Sequence, residues 1–155
     1  MVASFSELSR EELRELLDEL HDKYNNPDFI EADPISVPHC FTDPVDREVA
    51  GFLAATIAWG NRRAIVQSAH RMMRYMDNAP ADFVRNASKG DMAHLTSFVH
   101  RTFNGVDFQD FVSGLRHIIV GWGSVGAYFE ERYEATHDVR QVMSEFRKEF
   151  FSVEH

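Results

Sequence analysis

The chain has 155 residues, 44% of them apolar with thirteen Phe, and a formal net charge of −9. That size and apolar content suit one domain with a real core and exclude a disordered chain; the acidic balance argues against a general nucleic-acid coat. Cys40 is the only cysteine, which excludes an intramolecular disulfide, a thiolate zinc site and a four-thiolate iron–sulfur cluster.

No apolar run approaches the roughly 18 residues of a membrane span. The opening MVASFSELSREEL lacks the basic start and apolar middle of a signal peptide. A cytoplasmic location and no membrane partner are therefore expected. Ser9 and Glu12 form a capping box before ELRELLDELHDKY, where Leu13, Leu16, Leu17 and Leu20 share one stripe. The following NNPDFIEADPISVPHCFTDP carries four prolines, so residues 24–43 read as an irregular arm pinned by Phe29, Ile35 and Phe41. Asp43 caps a helix with Pro44 at its first position. From Val49 to Trp59 this helix is apolar on nearly every side, which predicts a central, buried element. Gly60 stops it in a left-handed conformation.

Asn61 caps the next helix. Its apolar stripe is Ile65, Val66, Ala69, Met72, Met73 and Met76, and the opposite stripe is Arg63, Gln67, His70, Arg71 and Arg74. PADFVRNA and DMAHLTSFVHRTF follow as shorter helices, the second starting at Ser88 or Asp91. In TFNGVDF, Asn104–Gly105 reads as the end of one helix, with Asp107 capping FQDFVSGLRHIIV up to Gly121. Ser124 caps VGAYFEERY, and Thr136 or Asp138 caps VRQVMSEFRKEFF. The pattern predicts a single all-α domain over 1–155 with about eight helices around a buried central one.

The charge is unevenly placed. Residues 1–48 hold 13 acids and 4 bases, which is the whole excess, and no acid occurs between Glu48 and Asp77. Arg62 and Arg63 therefore sit in the first turn of a helix, where its partial positive charge disfavours them unless an anion is present. The exposed N–H groups of that turn suit phosphate, and the Arg63/Gln67/His70/Arg71/Arg74 stripe could follow a phosphate backbone. The bland alternatives are a capping Asn61, a solvated stripe, and arginines paired with the acidic first helix. The histidines predict no metal site: His39 adjoins Cys40, His94 and His100 fall on opposite sides of a helix, and His70, His117 and His137 are isolated. No nucleophile–base pair and no Gly-rich phosphate loop occurs, so neither a catalytic residue nor a cofactor is expected.

The strings YNNPDFIEADPISVPHCF, EVAGFLAATIAWGNRRAIVQSAHRMM and FVHRTFNGVDFQDF resemble the uncharacterised bacterial family known as domain of unknown function 2400. The resemblance covers essentially the whole chain. Members of that family continue beyond the point where this chain ends, so it implies the N-terminal part of a longer protein.

More distantly, the order of buried helix, polar junction, amphipathic helix, APADFVRNASKGDMAHL and a Gly-containing turn is similar to the start of helix-hairpin-helix DNA glycosylases. There the buried helix runs into a junction whose glutamine enters the duplex. TIAWGNRR occupies that place, with Asn61 at the glutamine and Arg62 and Arg63 where threonines usually follow. The Gly-rich hairpin, the lysine and the aspartate of those enzymes lie later in their chains and have no counterpart here. This likeness implies a helical scaffold without the reactive groups that binds DNA weakly and salt-sensitively through Asn61, Arg62, Arg63, Gln67, His70, Arg71 and Arg74. The competing expectation is a helical interaction or structural module with no nucleic-acid role. A pocket enzyme using His39, His70 or His100 is a third reading that nothing favours. Oligomeric state is not legible from these residues.

Overall fold

The computed structural model describes residues 8–153; residues 1–7 of the N-terminal string used above to exclude a signal peptide lie outside them. Ten α-helices occur among the described residues: α1 (Arg10–Tyr24), α2 (Asp28–Ala32), α3 (Ser36–His39), α4 (Pro44–Thr56), α5 (Arg62–Tyr75), α6 (Pro80–Asn86), α7 (Lys89–His94), α8 (Gly105–Trp122), α9 (Val125–Thr136) and α10 (Val139–Phe150). A 3-10 turn over Leu95–Ser97 and a two-stranded hairpin, β1 (Val99–His100) and β2 (Phe103–Asn104), separate α7 from α8. Among the described residues no helix is long and apolar enough to cross a membrane.

The caps follow from the side chains. Ser9 and Glu12 make the reciprocal capping box of α1, Asp43 accepts from the Val45 and Asp46 N–H groups, and Ser124 and Asp138 cap α9 and α10. Each side-chain oxygen satisfies amides that the first turn of a helix leaves without a partner.

α4 packs against α3, α5, α6 and α9, and buries Val49, Ala50, Leu53 and Ala54. It shares the centre with α8, which buries seven residues including Phe108, Val112, Leu115 and Ile118 and carries α6, α9 and α10. Phenylalanines join the two regions: the Phe52 ring of α4 meets Phe111, Phe146 and Phe150 edge-on or tilted at centroid distances of 5.3–6.2 Å. Such geometries suit the ring quadrupole. α10 lies so close to α8 that a Cβ on Gly114 would fall 2.7 Å from the Phe150 carbonyl oxygen.

Four local expectations need correction. α4 ends at Thr56 rather than Trp59, and Trp59 is 39% exposed. The arm contains two short helices, and Ile35 does not pin it, being 47% exposed; the fully buried anchor is Val37. The helix expected from Ser88 or Asp91 to Phe103 starts behind a Ser88 cap but stops at His94; a 3-10 turn over Leu95–Ser97 and an extended Phe98 follow, and Arg101, with a positive φ of 57°, makes the turn of the hairpin. Finally, Asn104 rather than Asp107 caps α8; Asp107 Oδ2 instead accepts from the Asn104 N–H.

Two carboxylates of α4 also cap its neighbours. Asp46 Oδ1 accepts from the Ala81 N–H at the start of α6 (2.8 Å), and Glu48 Oε2 accepts from the Gly126 N–H at the start of α9 (3.1 Å). Each joins an anion to the positive end of a helix. Asp46→Ala and Glu48→Ala are each expected to lower unfolding stability by about 1 kcal/mol. The measurement is the urea midpoint at neutral pH, with Glu31→Ala on exposed α2 as the unaffected control.

Candidate functional site

The site of interest lies where α4 hands over to α5. After Thr56 the chain turns through Ile57, Ala58, Trp59 and Gly60, and Gly60 takes a φ of +111°, a conformation other residues rarely adopt. Asn61 then has extended backbone, and its Oδ1 accepts from the Ala64 N–H at 3.1 Å. Among the described residues the Arg62 and Arg63 N–H groups find no acceptor, as the opening turn of a helix dictates.

The hairpin holds this junction from the outside. The Arg101 guanidinium lies over the Trp59 ring, 4.8 Å from its centroid, and a Cβ on Gly60 would fall 2.6 Å from Arg101 Nη1. Glycine is thus favoured at position 60 by its dihedral, and a side chain there would also push the Arg101 guanidinium aside. His100, 6% exposed, meets the Trp59 ring edge-on and places its Nδ1 2.9 Å from Ser68 Oγ of α5. Arg71 donates through Nη2 to the Val99 carbonyl at 2.6 Å and lies over the Phe98 ring. Arg101 and Trp59 are not singled out by the sequence as site residues, and His100 enters there only in the pocket-enzyme reading. The signal was the string HRTF, whose tight turn is hidden because Arg101 is neither Gly nor Asn.

The seven residues singled out on α5 divide into four groups. Asn61 caps the helix. Arg62 lies over the Phe29 ring at 5.6 Å and lines a cleft of about 670 Å³ beside α4. Arg71 is committed to the hairpin. Arg63, Gln67, His70 and Arg74 make no side-chain hydrogen bond or ion pair among the described residues and form one row, as their spacing of three and four residues requires. The apolar stripe lies opposite, with Ile65, Ala69, Met72, Met73 and Met76 buried and Val66 half-buried.

Among the described residues, none of the arginines of α5 forms an ion pair with the acidic α1, whose own pair is Arg14–Asp18. The row therefore presents cations and open amides without internal carboxylates. No nucleophile opens onto it: Ser68 and His100 are hydrogen-bonded to each other but buried. Among the described residues no group of three His, Cys, Asp or Glu side chains converges as a metal site.

Burial holds the His100 imidazole below its usual value of 6.5, and the neighbouring Arg101 and Arg71 add to the effect. The unfolded chain takes up this proton as pH falls through about 6.5 while the folded one does not, so the associated stability is full above that pH and is lost below it. Between pH 7.5 and 5.5 the thermal midpoint is expected to fall in the wild type and to fall less in His100→Gln. Equal slopes in the two proteins would show that the hairpin histidine does not carry the effect.

Comparison with curated proteins and with solved structures finds no match. Residues 33–155, spanning the arm from Asp33 onward, α4, the junction and every later element, match the family described as Protein of unknown function (DUF2400). The chain belongs to that family.

Proposed function

We propose that this protein is a nucleic-acid-associated helical scaffold, similar in layout to DNA glycosylases, that meets a DNA backbone through α5 and contributes no reacting group. The observation that supports it best is the row of exposed Arg63, Gln67 and Arg74 with half-buried His70 among them, reached from a helix start whose first amides have no acceptor. Arg101 adds a further cation beside Gly60. Phosphate oxygens are the partners that this combination of open N–H groups, guanidinium ions and side-chain amide satisfies together. Asn61 reaches the same rim, though its Oδ1 is engaged in capping, which leaves its NH2 group for a base or a phosphate.

Few cations contribute, so binding is weak. Contact with three or four phosphates gives a slope of roughly −3 to −4 in log K against log salt on duplex DNA. Fluorescence anisotropy with a labelled duplex at low and moderate salt is expected to show that slope. Arg63→Glu with Arg74→Glu reduces its magnitude by about 2 and weakens binding at least ten-fold. Both substitutions lie on the exposed face, so the fold is preserved. Affinity indifferent to both would return the row to the competing reading, a protein-docking or merely solvated face.

A further inference from the structure

We propose that α1 of one chain docks into the cleft beside α4 of a second copy, and that the exchange is reciprocal, giving a two-fold symmetric dimer. It does not depend on the nucleic-acid reading. α1 is amphipathic, with Leu13, Leu16, Leu17 and Leu20 on one stripe, yet none of them is fully buried: Leu13, Leu16 and Leu20 are half-buried and Leu17 is 53% exposed. A solitary amphipathic helix of this length is marginal in water and takes its stability from the surface its apolar face covers.

The cleft supplies such a surface. Its floor is Gly51, Ala54, Ala55 and Ala58, the last just beyond the end of α4. Pro34, Ile35 and Pro38 form one wall and Ile65 stands on the other. The floor residues have the same spacing, i, i+3, i+4 and i+7, as the leucines of α1. A row of leucines fits into a groove lined by small residues over the same axial length of about 10 Å.

Charge separates this site from other apolar surfaces. α1 carries six acids, Glu11, Glu12, Glu15, Asp18, Glu19 and Asp22, against Arg10, Arg14 and Lys23. The rim of the cleft presents Arg47 and Arg62, with Asp33 its one acid. Among the described residues neither arginine has a carboxylate partner; Arg47 donates only to the Phe41 carbonyl, and Arg62 lies on Phe29. An acidic helix with an apolar stripe complements an apolar floor with a basic rim. A second copy supplies that helix, and two-fold symmetry lets each chain give and receive one.

Sedimentation analysis of the full chain without nucleic acid tests the proposal. The expected result is a species of twice the 17.9 kDa chain mass. Leu16→Glu with Leu17→Glu in α1, and separately Ala55→Glu on the exposed side of α4, each raise the dimer dissociation constant roughly ten-fold or more, with far-UV helix content falling by no more than the 15 residues of α1. Ile35→Glu on the exposed wall is the second cleft variant should Ala55→Glu disturb α4. Mixing the α1 variant with a cleft variant restores one of the two contacts and gives a dimer stronger than either variant forms alone. A monomeric wild type, or a dimer that persists in either the α1 or the cleft variants, overturns the proposal. Arg63→Glu with Arg74→Glu, which weakens the nucleic-acid row, leaves the dimer intact, so the two readings fail separately.

Discussion

Apolar burial is non-directional: many arrangements of helices would hide Val49, Ala50, Leu53 and Ala54 equally well. In this fold the polar end of the same helix restricts the choice. Asp46 and Glu48 each reach a backbone N–H of a different helix, and that contact works only within about 3 Å. The start of α6 and the start of α9 are thereby placed against α4 in one orientation each. The requirement reaches into the sequence at Gly126, where a Cβ would lie 2.6 Å from Glu48 Oε1. Arg116 performs the complementary task from α8, donating to the Val84 and Ala87 carbonyls at the end of α6. α6, only seven residues long, is held at both ends by charges from the two central helices.

With α4 so held, its C-terminal end is a fixed point, and everything at the junction is set from there. The chain must reverse within a few residues to start α5. A positive φ at Gly60 does this, and the hairpin closes over the turn. The buried bond between His100 and Ser68 and the Arg71–Val99 bond tie the hairpin to the helix whose start it covers. These are polar contacts in a mostly apolar region, and a neutral histidine suits them, since a charged one would face Arg71 and Arg101. One of the arginines whose spacing makes it look available, Arg71, therefore holds the scaffold, and the exposed cations stand on a rigid support.

The regular parts of this architecture were legible because they follow local rules. The caps at Ser9, Asp43, Asn61, Ser124 and Asp138, the stripe of α5 and the all-α class each depend on residues within one or two turns. What escaped depends on partners distant in sequence. Nothing near Trp59 marks it as exposed; its ring is covered by Arg101, forty-two positions on. The hairpin was missed because two-residue strands carry too little alternation to register, and its turn lacks the Asn-Gly pair that usually announces one. The open side of α4 escaped for the opposite reason. Gly51, Ala54 and Ala55 count as apolar in any pattern, yet their small volume makes a groove where larger residues would have made a core.

The net charge of −9 also misleads when treated as a property of the whole surface. Screening at physiological salt limits the reach of an exposed charge to about 8 Å, so a ligand at α5 responds to the arginines beside it more than to the acids of α1. Segregating acids in the first 48 residues and excluding them from the next twenty-eight lets one chain present two surfaces of opposite sign. The acidic one also carries the exposed Leu17 beside three half-buried leucines, and apolar area next to charge is costly to leave in water but inexpensive to cover with a surface of complementary sign. Both proposed contacts thus arise from the same segregation: the acids collected on α1 fit it to a basic-rimmed groove, and their absence from α5 leaves that helix open to a polyanion.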